Sequence, residues 1–383
     1  MYFNRLAFPV LGLALATTSA QAGGFSRGTA DTDILFEDGN FNFRASAYVA
    51  IPHQEYRSAP RRAPNPNLVG ENYLDNYVIP SAAVKFGFSE NFACAGTYTD
   101  SNGASSSFSD PYGVSGKLSE AFTVAEFGAT CAVFLDAGRG RLSFLGGAFM
   151  EKFDYSLDGR PTLPGLGPVP LNIGLDSTAY GWRAGIGYEI PDIAFRAQLL
   201  YRSGTSHDAT GSAATPFIPG VALPADGSGE LPQSLELRLQ SGIAPGWLAF
   251  GSVKWTDWSV NETLNLRVTT GIPAIGNLNS LNQYYWRDGW TITGGVGHAF
   301  NDKVSGLVSL QWDRGVSTGY DLRTDKWLLA AGTSFKDQWG GELRLGGGLS
   351  YLTSAEITEG LEVGAAVDSG WAAMFSAGYN VKW

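Results

Sequence analysis

Residues 234–256 read SLELRLQSGIAPGWLAFGSVKWT. Leu235, Leu237 and Leu239 alternate with Glu236, Arg238 and Gln240, the period of two by which successive side chains of a strand point to opposite faces. The run ends at Ala244-Pro245-Gly246, a connection short enough to reverse the chain, and a second strand follows from Trp247 to Trp255. One face of this hairpin is oily and the other carries charge. A soluble sandwich alternates in the same way, so the pattern alone leaves two architectures open.

Connection lengths separate them. The alternation recurs from about residue 40 to the C-terminus, where Trp371, Ala373, Phe375, Ala377, Tyr379, Val381 and Trp383 share one face. Tight connections fall at 89–91, 136–140, 191–192, 244–246, 301–303 and 336–338. Longer ones fall at about 52–76, 101–117, 156–177, 206–231, 271–287, 315–325 and 353–369, and short and long alternate without a break. Six turns and seven loops join fourteen strands, with both chain ends on the short-turn side. Outer-membrane barrels have this asymmetry and an even strand number. The expected fold is all-β: a fourteen-stranded antiparallel transmembrane β-barrel over 40–383 with a short N-terminal plug segment.

In hydrocarbon every backbone N–H and C=O must be satisfied by a neighbour, so only a closed sheet can cross there. Its outward face is then apolar, and Arg44, Lys85, Glu126, Arg183, Arg196, Arg202, Glu236, Arg238, Lys254 and Arg344 point into the lumen. Tyr155, Trp182, Tyr201, Trp247, Trp255, Trp258, Trp290, Trp312, Trp327, Tyr351 and Trp371 fall near strand ends, as the rings of interfacial girdles do.

Composition agrees. The 383 residues include 50 Gly and 13% aromatics with only 16% charge, unlike a disordered chain. After the N-terminus no run of about 18 apolar residues supports a spanning helix. A net charge of −10 has the wrong sign for a nucleic-acid partner. Residues 1–22 read as a secretory signal: Arg5, the apolar run Leu6 to Ala16, and the small-x-small site Ala20-Gln21-Ala22. The mature chain then starts at Gly23. Cys94 and Cys131 fall on consecutive strands and face the same way, so a cross-strand disulfide and two lipid-facing thiols both fit.

The chain offers little to catalysis. Of three histidines, His53 and His207 fall in expected outer loops and His298 shares the apolar face of Ile292 and Val296. Gly315-Val316-Ser317-Thr318-Gly319 matches a nucleophile-elbow pattern but lacks the helix that motif requires. Ser206-His207-Asp208 holds triad letters in consecutive positions, where side chains cannot converge. No metal spacing emerges, and no enzyme activity or cofactor is expected.

The outer loops carry the binding expectation. Residues 161–175, PTLPGLGPVPLNIGL, present Leu163, Leu166, Val169, Leu171 and Ile173 without a charge. Residues 215–224, TPFIPGVALP, present Phe217, Ile218, Val221 and Leu223. Apolar, proline-stiffened loops outside a barrel suggest a hydrophobic binding surface, or loops that pack on one another over its mouth. The segment 23–39, with Gly23, Phe25, Ile34, Leu35 and Phe36, precedes the first strand and either hangs at the periplasmic end or folds into the lumen as a hatch. A fourteen-strand interior is wide enough to need blocking, which favours the hatch.

Several stretches together resemble the long-chain fatty-acid transporter (FadL-type) family of Gram-negative outer membranes. They are Thr178-Ala179-Tyr180-Gly181-Trp182-Arg183-Ala184-Gly185 with Tyr201-Arg202-Ser203; Leu231-Pro232-Gln233-Ser234 with Ala244-Pro245-Gly246-Trp247 and Trp255-Thr256-Asp257-Trp258; Arg287-Asp288-Gly289-Trp290; and Trp327-Leu328-Leu329-Ala330-Ala331-Gly332-Thr333. The terminal Tyr379, Val381 and Trp383 resemble the C-terminal aromatic signal of such barrels. The resemblance implies a fourteen-stranded barrel with an N-terminal hatch, located in the outer membrane, for passive uptake of long-chain fatty acids or hydrocarbons. It implies capture at outer loops and release sideways through the wall into membrane lipid. Two departures stand out: the hatch is shorter than the family's and lacks its Asn-Pro-Ala stretch, and 101–117 is short and polar. The capture groove is therefore expected at 161–175 and 215–224. Arg183, Arg202, Arg238 and Lys254 are the lumen candidates for holding a carboxylate. The expected protein is a monomer; an outer-membrane lipid hydrolase and a polar-solute porin are the alternatives.

Overall fold

The structure is a computed structural model that describes residues 23–113, 115–163, 167–271 and 276–383; the expected signal at 1–22 lies outside them. Fourteen strands form the barrel: β1 (Phe41–His53), β2 (Tyr77–Ser89), β3 (Phe92–Tyr112), β4 (Lys117–Ala137), β5 (Gly140–Gly159), β6 (Leu171–Ile190), β7 (Phe195–Arg202), β8 (Ser234–Ala244), β9 (Trp247–Thr256), β10 (Gly289–Ala299), β11 (Val304–Asp313), β12 (Lys326–Lys336), β13 (Gly341–Leu352) and β14 (Gly370–Lys382). Each pairs antiparallel with its neighbours, and β1 closes the cylinder by pairing with both β2 and β14. The six short connections all lie at the end where β14 finishes beside β1, as their spacing requires.

The pleat sorts the side chains as the lipid demands. On β8, Leu235, Leu237 and Leu239 are exposed on the outside, while Glu236 and Arg238 are buried inside. Cys94 and Cys131, opposite each other on β3 and β4, form a disulfide on the outward face.

Three expected outer loops are largely strand and a fourth, 271–287, is partly so. β3 continues to Tyr112 and β4 starts at Lys117, leaving little of the 101–117 loop. β5 and β6 likewise run to Gly159 and from Leu171. The segments Thr205–Ala214, Leu223–Leu231, Thr263–Val268 and Leu278–Gln283 form four further strands that extend the sheet from the outer part of β6. The expectation stopped the strands where the membrane pattern stops. On β5 the outward residues are apolar from Leu142 to Met150 and then become Lys152, Asp154, Ser156 and Asp158. Beyond that point the inward residues, Tyr155 and Leu157 on β5 and Leu171, Ile173 and Leu175 on β6, are the apolar ones. The sheet thus leaves the bilayer and becomes an ordinary water-exposed wall with an oily inside.

The segment before β1 lies against inward faces of the barrel. Gly23 N donates to Asp313 Oδ2 (2.8 Å) at the outer end of β11. The chain then runs along β3, with Arg27 N donating to Ser101 O (2.9 Å), Gly28 N to Asp100 O (2.7 Å) and Gly103 N to Phe25 O (2.9 Å). It makes a 3-10 turn at Thr32–Phe36. There Ile34 and Leu35 are fully buried against Ala83, Ala93, Ala95 and Ala132, a patch where small lumen residues leave room for them. Burying each is worth roughly 1.5–3 kcal/mol. The acids of this stretch meet barrel cations: Asp31 and Glu37 bond Arg44, Asp33 lies 3.2 Å from Arg238, and Glu37 lies 3.1 Å from Lys382.

Candidate functional site

Two structures stand over the barrel mouth. One is the outer sheet, whose inner face packs Leu175, Ala209, Ala225 and Leu266 together. The other is a lid made from the connections after β1 and β13, where Tyr56–Ser58, Ala355–Glu356 and Ala366–Val367 form a small sheet. The lid buries Tyr56, Leu68, Ile357 and Val367 against Phe108 and Tyr112 of β3. Neither face can reach the other everywhere, and a cavity of about 240 Å³ remains between them.

Aromatic rings dominate its wall. Phe108 stacks on Tyr112 (4.6 Å between ring centroids), and Tyr73 lies parallel to Phe108 at 6.4 Å. Phe25 forms the floor, with its ring edge-on to Phe122 at 4.8 Å and 4.7 Å from Trp286. Gly227 and Gly229 of the outer sheet also face the cavity and keep it open. An apolar cavity of roughly 150 Å³ accepts benzene, about 25 Å³ per carbon. By that measure this one holds about ten carbons, either as fused or linked rings or as a folded alkyl chain.

The wall is mostly apolar but also carries polar and charged side chains, among them Lys117, Glu120, Asn282, Asp321 and Arg323. Glu120 accepts from Lys117, from the Tyr155 hydroxyl (2.8 Å) and from Asn282 Nδ2 (3.2 Å). Arg323 has its guanidinium over the Phe25 ring and pairs with no carboxylate at salt-bridge distance among the described residues. Burial pushes the neighbouring Asp321 carboxyl above its ordinary range, although Arg323 and the Trp286 indole N–H (2.7 Å) favour its charged form. Burial likewise raises the Tyr73 hydroxyl to about 12. At neutral pH the lid tyrosines are therefore neutral donors within an oily wall.

The expected site residues take different places. Val169, Leu171, Ile173 and Leu223 are buried, three of them in the core of the outer sheet, and Ile218 packs against that core. Phe217 and Val221 are exposed at the tip of the 215–222 turn. Leu166 and the side chain of Leu163 lie outside the described residues. None of the other loop candidates lines the 240 Å³ cavity, whose residues come instead from the lid, from β3–β6, from other positions of the outer sheet and from Phe25. The signal for these was weak, because polar loop sequences flank each aromatic.

The lumen candidates lie deeper. Arg183, Arg202 and Lys254 share a cavity of about 50 Å³, and Arg238 lines another of about 70 Å³. Arg202 donates to Glu126 (2.9 Å) and to Glu151, Arg183 bonds Glu126, and Arg238 bonds Glu236 (2.8 Å). These cations hold the protein's own carboxylates.

His207 is a buried strand residue rather than a loop residue. Its Nδ1 lies 2.9 Å from Ser177 Oγ and its Nε2 3.4 Å from Glu151 Oε2. Consecutive Ser206 and Asp208 point to the other face, as alternation requires. Ser177 is not part of the cavity wall, and Glu151 is already engaged by Arg202 and by Thr205 Oγ1 (2.6 Å). The three residues make a structural tie at the cavity's lower edge.

A break in the wall lies beneath this cavity. β2 and β3 pair from Ser89 up to Ser81↔Thr99, and the same register resumes at the isolated bridge Leu74↔Ser106. Between them residues 75–80 and 100–105 are not laddered to each other, a slit of about 20 Å along the strands at 3.3 Å per residue. Pro80, which has no N–H to offer a ladder, stands at its lower end. The slit lies at membrane depth: Val78 on its rim is outward and exposed, in the same cross-strand row as Val49 and Phe375, below the exposed Trp371. Ala104 and Ser105 on the opposite rim also line the 240 Å³ cavity.

The closed fourteen-strand cylinder, its oily exterior and the exposed aromatics near its strand ends define an outer-membrane β-barrel of Gram-negative type. Residues 171–357 match the family model described as Outer membrane protein transport protein (OMPP1/FadL/TodX). The long-chain fatty acid transport protein of Salmonella typhi is 28% identical over 204 residues, 47% of this chain and 45% of that protein. The protein of that name from Escherichia coli (strain K12) is 27% identical over 204 residues, 47% and 44% of the two chains. The chain thus matches slightly under half the length of these curated relatives. Among solved structures, a Pseudomonas aeruginosa FadL homologue aligns with a TM-score of 0.72 at 14% identity, covering 91% of both chains. The Ralstonia pickettii toluene transporter TbuX aligns at 0.63 and 14% identity, covering 91% of this chain and 90% of that one. The resemblance read from the sequence is matched here: over 171–357 the chain is similar to the FadL-type proteins, and it shares the fold of their solved structures.

Proposed function

We propose that this barrel takes up hydrophobic compounds passively, binding them in the aromatic cavity between lid and outer sheet. The cavity carries the reading, because its wall is mostly apolar, it is of ligand size and it shares Ala104 and Ser105 with the rim of the slit. Phe217 and Val221, apolar at an exposed turn, are the first surface such a compound meets. From the cavity the cargo leaves sideways through the slit between β2 and β3 into lipid, so it need not cross the charged lumen. Residues 23–39 act as the hatch: salt bridges around Asp31, Asp33 and Glu37 hold them in the lower lumen. Relatives named as fatty acid and toluene transporters support a hydrophobic cargo.

The cavity's size and its rings favour a compact cargo of one or two rings, or a medium acyl chain whose head sits at Arg323. A carboxylate there finds a cation that no protein acid already occupies, whereas Arg183, Arg202 and Arg238 are each engaged. The direct test is uptake of radiolabelled decanoate and of toluene by a Gram-negative strain lacking its own transporters of this type. Cells making the protein should accumulate one or both faster than cells carrying an empty vector. Uptake equal to the control, with the folded barrel present in the outer membrane, would refute the function.

A further inference from the structure

The slit in the wall is not empty, and what fills it is one side chain of the N-terminal segment. Continuing the β2–β3 register would set Tyr77 opposite Gly103. In place of that pairing stands Arg27. Its guanidinium carbon lies 4.3 Å from the centroid of the Tyr77 ring, and a Cβ built on Gly103 would come within 2.8 Å of the same carbon. Arg27 is thus held between a flat ring on one rim and a bare backbone on the other. Its backbone N–H and that of Gly28 bond Ser101 O and Asp100 O, so this stretch also supplies partners that β2 withholds from β3. The β3–β4 ladder shifts register at that level, between Asp100 and Asn102.

Arg27 also borders three separate spaces. It lines the small cavity beside Arg202 and Lys254, the one beside Tyr48 and Ile79, and a third of about 70 Å³ beside Tyr77, Leu74 and Lys326. That third space shares Tyr73, Leu74, Ala104 and Ser105 with the ligand cavity. A molecule moving from the ligand cavity toward the slit therefore meets the Arg27 guanidinium first. Higher in the slit, Asp75 accepts from Ser105 Oγ and Ser107 Oγ, a tie across the rims near the outer end.

We propose that Arg27 is the latch of the slit, and that passage from cavity to membrane requires its guanidinium to leave the Tyr77 ring. The proposal rests on the lateral exit proposed above. Moving the guanidinium opens a gap about one ring thick, with Tyr77 as the stacking surface and Gly103 as the clearance. Two consequences follow. Arg27 controls the rate of release without contributing to the cavity wall, since it is not among the residues that line the ligand cavity. The glycine at 103 is required for the width of the gap, because any side chain there occupies the space that Arg27 vacates.

The test uses full-length protein and 1-naphthylamine, a ten-carbon fused-ring probe whose fluorescence responds to apolar surroundings. Affinity is measured by titration of the detergent-purified barrel, and transfer by the rate of whole-cell uptake. Folding is checked by the shift in gel mobility on heating. Arg27→Ala should leave the dissociation constant within twofold of wild type and raise the uptake rate at least threefold. Tyr77→Leu should act in the same direction more weakly. Adding Gly103→Val to Arg27→Ala should return uptake to the wild-type rate or below, again with affinity unchanged. Uptake by Arg27→Ala that is unchanged or slower, with wild type binding and importing the probe, overturns the latch. A gain that survives Gly103→Val also overturns it. Failure of wild type to bind or import the probe counts against the transport reading instead, so the two failures are distinguishable.

Discussion

Filling the cavity from its own wall gives the sharpest test of where ligand binds. Gly229 lies on the inner face of the outer sheet, and a Cβ built there meets only Leu264 Cδ1, at an ordinary 3.6 Å. Gly227, two residues away, has no such freedom, because its Cβ would lie 2.9 Å from Leu266. Gly229→Phe adds seven carbons. At roughly 25 Å³ per carbon they occupy about 175 Å³ of the 240 Å³ available. A ten-carbon ligand then loses contact for about seven carbons, near 0.8 kcal/mol each, or about 6 kcal/mol. Each 1.4 kcal/mol is tenfold in affinity, so binding should weaken more than a thousandfold. Fluorescence titration of the purified barrel with the ten-carbon probe 1-naphthylamine measures this directly. Gly174→Phe is the control: it makes the same change on the exposed face of β6, where a Cβ has open space, and should leave affinity unaltered. If Gly229→Phe binds within threefold of wild type, the ligand does not sit in this cavity.

Three further outcomes follow from the charged groups. Arg202→Ala removes the arginine from buried Glu151 and leaves buried Glu126 with Arg183 alone; removal of one member of such a network costs about 3–5 kcal/mol. The melting temperature in detergent should fall markedly for this variant, and uptake of decanoate and toluene should fall together rather than decanoate alone. Arg323→Gln should weaken decanoate binding at least tenfold and leave toluene binding nearly unchanged, as isothermal titration with each would report; equal loss of both would remove Arg323 as a carboxylate anchor. Asp321 gives a pH signature. Its carboxyl is raised in the folded protein, so between the ordinary carboxylate range and the folded value the native state binds more protons than the unfolded one, and stability falls as pH rises. Asp321→Asn should flatten that decline, measured as the change in melting temperature between pH 4 and pH 8; an unchanged slope would show that Asp321 does not contribute to it.

The lumen network shows how far alternation carries. That Arg183, Arg202 and Arg238 point inward was legible, because a strand in lipid allows charge on one face only. Which carboxylates they bond was not. Glu126 and Glu151 reach Arg183 and Arg202 from other strands, and spacing along the chain says nothing about reach across a cylinder; only Glu236, two residues before Arg238 on β8, is near in sequence. The outer loops gave the opposite difficulty. Leu171, Ile173 and Leu223 were recognised as apolar where water was expected, but the explanation is a second sheet above the membrane, whose inside they fill. The tell was the change on β5 from outward Met150 to outward Lys152, where the oily and polar faces exchange roles.

By itself, then, the order of residues determined the strand number, the direction in which each side chain faces, and the cellular compartment. All three follow from short-range periodicity and turn length under one constraint, that lipid offers no hydrogen bonds. Only the folded chain decided where a cargo fits. Phe25, Tyr73, Phe108 and Tyr284 are separated by tens to hundreds of positions, and each is an unremarkable aromatic in its own segment. They become a cavity because the lid and the outer sheet, which stand beyond the lipid-facing band, close over the N-terminal segment with a gap they cannot fill. The slit is of the same kind. Pro80 and Gly103 are weak signals until register places the stretches they stand in across from each other, with Arg27 between.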